Sequence, residues 1–190
     1  FKPYACGTMA HPYIDCARAF RRKGIPLEQI ASIECETAEG IVHRLWEPLA
    51  VKHAPPNGYA AKFSIPYAVA AGLIFDDAGL GEYAEDVVSR SDVQALAAKV
   101  KYRVDPQNPY PRQFTGHLRI TLVNGDVHEH RQGYFKGGVD HPMSNDDLMQ
   151  KFLANCRYGR VSETRIQAIL AQLEPLFETG EVKLTELALA

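Results

Sequence analysis

Hydrophobic positions along this chain change period several times, and each change predicts an element. Tyr13, Ala17 and Phe20 recur at i, i+4 and i+7, the spacing of one buried helical stripe. Pro12 suits the first turn of that helix, and Gly24 followed by Pro26 predicts its end. From Ile30 to Thr37 the period drops to two. Ile33, Cys35 and Thr37 alternate with Glu34 and Glu36, predicting a strand with one buried and one solvated face. Residues 47 to 60 hold three prolines with Asn57 and Gly58, the composition of a loop. Ser64 then offers an N-cap and Pro66 an early helical position. The segment from Tyr67 to Phe75 is apolar all round, which marks a buried helix, and its small residues permit close packing.

Asp92 to Lys99 reads as a short helix, Val100 to Val104 as a strand and Asp105 to Pro111 as a proline-rich loop. Leu118, Ile120 and Leu122 alternate with Arg119, Thr121 and Val123. Asn124-Gly125 then predicts a type I′ hairpin turn, with positive φ at both positions, returning through Val127 to Arg131. Ser144-Asn145-Asp146-Asp147 resembles a capping box with Asp in place of Glu, opening a helix that carries Leu148, Phe152 and Cys156. Ser162 caps a last helix with Ile166, Ile169, Leu170 and Leu173 in register, and Pro175 ends or kinks it. These elements describe an α+β fold, a small and largely antiparallel sheet with packed helices.

Composition narrows the class. The 190 residues are 46% hydrophobic with 21 basic and 23 acidic side chains, which predicts one soluble globular domain with a real core. A net charge of −2 without a basic run predicts no nucleic-acid or anionic-membrane partner. The longest apolar stretch, Ala68 to Phe75, is too short to span a bilayer, and no signal-peptide pattern is present. Cys6, Cys16, Cys35 and Cys156 form no CxxC pair, so they read as reduced, mostly buried thiols of a cytoplasmic protein. The opening run Phe1-Lys2-Pro3-Tyr4 is dense in motif residues and has no initiator Met, as expected of a piece of a longer chain.

The first residues hold the most candidate chemistry. A lysine, a tyrosine, a cysteine, a threonine and a histidine (Lys2, Tyr4, Cys6, Thr8 and His11) crowd one loop that leads into a helix N-terminus, where anionic groups are favoured. Lys2 can neutralise a carboxylate and His11 can move a proton near neutral pH. Nearness to the helix start also offers Cys6 a lowered thiol pKa, and with it a thiol-dependent reading. Lys62 and Ser64 lie where the apolar helix begins, and serve either a substrate carboxylate or only the cap and a solvated surface. His128-Glu129-His130 puts two imidazoles on one strand face without an evident third ligand, so a solvated face is expected rather than a metal. Lys136-Gly137-Gly138 is too short for a phosphate loop, and its flexibility suits a hinge or rim.

The run Lys2-Pro3-Tyr4-Ala5-Cys6-Gly7, followed by His11-Pro12 and Ile14-Asp15, resembles the signature that opens the C-terminal domain of MmgE/PrpD proteins. Further resemblances follow in family order: Ala61-Lys62-Phe63-Ser64-Ile65-Pro66-Tyr67-Ala68, then Asn108-Pro109-Tyr110-Pro111, then Lys136-Gly137 with His141-Pro142-Met143-Ser144 and Lys151-Phe152. The family includes 2-methylcitrate dehydratase, an enzyme of propionate metabolism, and cis-aconitate decarboxylase. The resemblance implies that residues 1–190 are the α+β lid domain and that a larger all-helical N-terminal domain is absent from this chain. It implies an active site in the cleft between the two, and lyase chemistry on tricarboxylic acids without metal or other cofactor. It also implies a homodimer, and inactivity for the lid alone. Lys2 matches the family's active-site lysine, and His11 a family histidine that is either acid/base or loop-orienting. Tyr4, Cys6, Thr8, Lys62 and Ser64 stand as substrate-binding candidates. The decarboxylase branch has a further histidine between the lysine and the His11 position; here that interval has none, which favours a metal-independent hydro-lyase of the 2-methylcitrate dehydratase type. A decarboxylase, or a non-catalytic ligand-binding or dimerisation module, are the alternatives.

Overall fold

The computed structural model describes residues 1–173. Residues 1–144 form one compact unit and the described residues from Asn145 a second. The first unit opens on a short 3-10 turn and α1 (His11–Arg22), with Pro12 in its first turn and Gly24 beyond its end at a φ of 73°. β1 (Ile30–Thr37) follows, then α2 (Glu39–Leu45). The segment predicted as a loop folds instead into two short helices, α3 (Leu49–His53) and α4 (Gly58–Ala61). Their starts explain the difference: Pro48 caps α3, and the Asn57 side chain accepts a hydrogen bond from the Ala60 amide at the start of α4. Proline and asparagine punctuate loops, but they also begin helices.

α5 (Ile65–Phe75) starts on Ser64, whose hydroxyl accepts from the Tyr67 amide at 3.0 Å, and ends on Asp76 in the left-handed region. Its residues from Ile65 to Leu73 are buried on every side. Two short helices, α6 (Glu85–Val88) and α7 (Ser91–Ala97), lead into β2 (Val100–Val104), β3 (Gly116–Leu122) and β4 (Val127–Gln132).

The sheet order is β2-β1-β3-β4. β1–β3 and β3–β4 are antiparallel, whereas β1 and β2 run parallel, with Ile33 opposite Val100 and Thr37 opposite Val104. The sheet is therefore mixed, because residues 38–99 form a long crossover that returns β2 in the direction of β1. α1 packs on α5, β3 and β4, and its stripe of Tyr13, Ile14, Cys16, Ala17 and Phe20 enters the core. Contact with β3 is close: a Cβ on Gly116 would lie 2.4 Å from the Pro12 carbonyl oxygen.

The hairpin turn differs from the predicted type I′. The Gly125 amide donates to the Leu122 carbonyl at 2.9 Å, the Leu122 amide to the Asp126 carbonyl at 2.8 Å, and only Gly125 of the pair has positive φ. This is a three-residue connection in which a single left-handed glycine closes the loop and Asn124 instead accepts the Asp126 amide through its side chain.

Glu36, predicted on the solvated face of β1, is only 6% exposed. Arg103 from β2 and Arg131 from β4 both donate to its carboxylate, and His117 from β3 lies beside it. The long stems of the two arginines roof the carboxylate, so pleat alternation names its face but not its cover.

In the second unit, α8 (Asn145–Tyr158) and α9 (Glu163–Leu173) follow the predicted helices. The Ser162 hydroxyl accepts from the Arg165 amide, as an N-cap does. Pro175 lies outside the described residues. No helix among the described residues is long and apolar enough to cross a membrane.

Candidate active site

The opening segment is tied down by backbone bonds. The Ala5 amide donates to the Ala78 carbonyl and the Gly7 amide to the Lys62 carbonyl, each at 3.0 Å. This second bond brings the loop against the junction of α4 and α5, and so sets Cys6 among charges from two distant parts of the chain. The exposed Lys2 folds back so that Nζ donates to the Cys6 carbonyl at 3.2 Å. Half-exposed Lys62 acts on the Cys6 thiol from the other segment. Burial pushes that thiol up to about 11, against the opposing pull of the Tyr83 hydroxyl and the ammonium groups of Lys2 and Lys62. Cys6 is therefore a protonated thiol near neutral pH, and the thiol-dependent reading fails because desolvation outweighs the nearby cations. Half-exposed Thr8 begins the 3-10 turn, and its carbonyl accepts from the His11 amide.

Tyr4 and His11 belong to the interior. The Tyr4 hydroxyl donates to Asp15 Oδ1 at 2.5 Å and accepts from Arg18 Nη1 at 3.1 Å. The second Asp15 oxygen accepts the Lys136 amide at 3.0 Å. Burial first, and then the Asp15 carboxylate, raise the Tyr4 phenol well above its ordinary value. His11 is wholly buried at the start of α1, edge-on to the Tyr4 ring at 5.3 Å and to Phe135 at 6.0 Å. The histidine singled out for proton transfer thus sits among aromatic rings.

Ser64 is spent on structure. Its hydroxyl caps α5 and also donates to the Lys52 carbonyl at 2.6 Å. Lys52, which the sequence pattern did not single out, donates through Nζ to the carbonyls of Arg44 and Phe63, both at 2.7 Å. Desolvation lowers its pKa. Two polar clusters also escaped sequence reasoning: Asp15 with Arg18, and Glu36 with His117. His117 Nδ1 accepts the Glu36 amide at 3.3 Å, which leaves the proton on Nε2, 2.9 Å from Glu129.

His130 packs edge-on against Phe20, so the His128-Glu129-His130 run splits between a half-buried and an exposed face. Among the described residues no three His, Cys, Asp or Glu side chains are grouped to hold a metal. Gly137 has a φ of 89°, its amide donates to the His141 carbonyl at 2.7 Å, and a Cβ there would meet the Phe1 carbonyl, so glycine is required at this turn.

The structure thus joins the Lys2 and Lys62 segments beside buried Cys6 through the Gly7–Lys62 bond, buries Tyr4 and His11 behind polar and aromatic partners, and assigns Ser64 to a cap.

A family model described as the MmgE/PrpD C-terminal domain matches residues 4–175. The cis-aconitate decarboxylase of Mus musculus is 28% identical over 179 residues, which cover 93% of this chain and 36% of that protein. The cis-aconitate decarboxylase of Homo sapiens is 26% identical over 157 residues, covering 82% of this chain and 32% of that protein. The chain spans about a third of the length of these curated relatives.

Proposed function

The chain belongs to the MmgE/PrpD family, as its C-terminal domain, and from that premise we propose that it supplies the lid side of a lyase active site for tricarboxylic acids. The observation that carries this reading is the Gly7–Lys62 backbone bond, which joins the segment of Lys62 to the one on which Lys2 Nζ donates to the Cys6 carbonyl. A tri-anionic substrate needs fixed cations near its carboxylates, and cations placed before reaction also meet charge that develops on an enolate-like intermediate. Lys2 anchors a carboxylate in this reading, with Lys62 beside it. The buried His11 orients the loop, and the base and acid that dehydration requires come from a helical domain of the same protein. That domain and a second copy of the protein are the partners the reading calls for.

Dehydration of a 2-methylcitrate-like acid is the preferred reaction, because the interval from Pro3 to Ala10 lacks the decarboxylase-branch histidine. Decarboxylation is the second reading, favoured by the names of the mouse and human relatives.

The test is an assay of the full-length parent protein on 2-methylcitrate and cis-aconitate, by ultraviolet absorbance with product analysis. Loss of water supports the first reading and release of carbon dioxide the second. Turnover of neither acid leaves a ligand-binding module. In an active parent, Lys2→Ala should lower kcat/KM by roughly 10- to 150-fold, the worth of one charge-assisted contact. Unchanged kinetics would remove Lys2 from the anchor role.

A further inference from the structure

α1 carries a second set of charged side chains that the Lys2–Lys62 surface does not use. Arg18 and Arg22, one helical turn apart, face a cleft of about 240 Å³ between α1, β4 and the loop that follows β4. Lys136, His130 and His141 line the same cleft, against one carboxylate, Asp15.

The bonding pattern shows which groups are already occupied. Asp15 accepts the Tyr4 hydroxyl on one oxygen and the Lys136 amide on the other. Asp76, across from the helix, takes the Nε edge of both arginines, at 3.1 Å from Arg18 and 3.4 Å from Arg22. Arg18 Nη1 also donates to Tyr4. Among the described residues no acceptor meets Arg18 Nη2 or either Nη of Arg22. Two guanidinium groups are thus held by Asp76, with Arg18 Nη2 and both Nη of Arg22 left for a further acceptor, beside a cleft that Lys136, His130 and His141 also line and whose one carboxylate is saturated. Fork geometry of this kind suits paired oxygens of carboxylate or phosphate.

We propose that this cleft is a binding site for a compact multivalent oxyanion, an inorganic phosphate or a small polycarboxylate, separate from the Lys2–Lys62 surface. Arg18 also bonds Tyr4, two residues from Lys2, so an anion on Arg18 pulls on the segment that carries the proposed substrate anchor. The site itself stands whether or not the tricarboxylate reading holds.

The test is titration of the full chain with inorganic phosphate and, separately, with citrate, at constant ionic strength balanced by chloride, following the imidazole resonances of His130 and His141. Saturable shifts are expected with at least one of the two anions. Which anion binds more tightly identifies the phosphate or the polycarboxylate source. Arg22→Gln should weaken binding by roughly ten-fold or more, as loss of one charge-assisted contact does. Arg22 is a suitable target because its side chain is 61% exposed. Lys136→Gln provides a second variant with the same expected direction, and Lys2→Ala should leave binding intact. Shifts that stay linear for both anions would overturn the proposal. So would saturable binding that Lys2→Ala abolishes and that both Arg22→Gln and Lys136→Gln spare.

Discussion

Replacing Gly116 by alanine puts a methyl group where α1 already is. The added carbon would lie 2.4 Å from the Pro12 carbonyl oxygen, 2.5 Å from its carbonyl carbon and 2.9 Å from the Tyr13 amide nitrogen. Carbon–oxygen contacts ordinarily stop near ~3.3 Å, so the overlap approaches about 1 Å. All three atoms are backbone, and no rotamer change relieves them. Either β3 or the first turn of α1 has to move, and that turn holds His11 against Tyr4 and Phe135. Overpacking of this kind costs about 1–3 kcal/mol. For a chain of this size a middle value near 2 kcal/mol lowers Tm by roughly 4–8 °C. Gly81→Ala is the matched control, since a Cβ there meets nothing and the residue sits in a 3-10 turn. It should melt at or slightly above wild type. Thermal unfolding by circular dichroism, checked by calorimetry, measures both. A Gly116→Ala protein melting within about a degree of wild type would refute the close approach of β3 to α1, because a clash of that size cannot be absorbed at so small a cost.

Other outcomes follow from the polar contacts. Alkylation at pH 7 should modify half-buried Cys156 well before Cys6, whose thiol at about 11 leaves roughly 1 part in 10⁴ as thiolate; equal labelling rates would contradict the burial of Cys6. Glu36→Gln should destabilise the fold by about 1.5–3 kcal/mol at neutral pH, the range for hydrogen bonds to a charged group. The bond from Arg131, with the charges of Arg131 and Arg103, holds this carboxyl below its ordinary value against the opposing effect of burial. Its stabilisation is therefore full above the ordinary carboxylate pKa and lost as pH falls through the depressed folded value. Urea unfolding of wild type and Glu36→Gln should converge in acid, and a gap that persists there would count against the ion pairs. Ser64→Ala should cost about 1–2 kcal/mol through the lost α5 cap. In an active parent it should leave KM unchanged, and a raised KM would return Ser64 to the substrate.

Local pattern carried much of this fold. The 3.6-residue stripe of Tyr13, Ala17 and Phe20 and the apolar run after Ser64 read as helices, and β1 and the β3–β4 hairpin read as strands, because each signal lies within one window of sequence. What depends on distant partners did not read. The parallel edge strand β2 follows from the path of residues 38–99, and Glu36 is covered by side chains 67 and 95 residues away. The site divides the same way. Lys2 and Lys62 were each visible as cations, but nothing near either shows that the Gly7–Lys62 bond brings them to one thiol. His11 looked reactive by residue type, and its enclosure by Tyr4 and Phe135 is a tertiary fact.

The parallel pairing of β2 with β1 also sets an order of assembly. The β3–β4 hairpin closes through a three-residue connection, whereas β2 reaches β1 only after residues 38–99 have been gathered. Closing so long a loop costs roughly 2.5–3 kcal/mol more chain entropy than closing the hairpin. β1 is reached from both neighbours only across long loops, residues 38–99 to β2 and 38–115 to β3, so the β3–β4 hairpin alone forms locally and the pairings of β1 come later. Lys62 lies on the 38–99 crossover, whereas Lys2 lies on the opening segment. The approach of the Lys62 segment to the Lys2 segment thus depends on the crossover, and local opening of residues 38–99 would undo it while the β3–β4 hairpin remains intact.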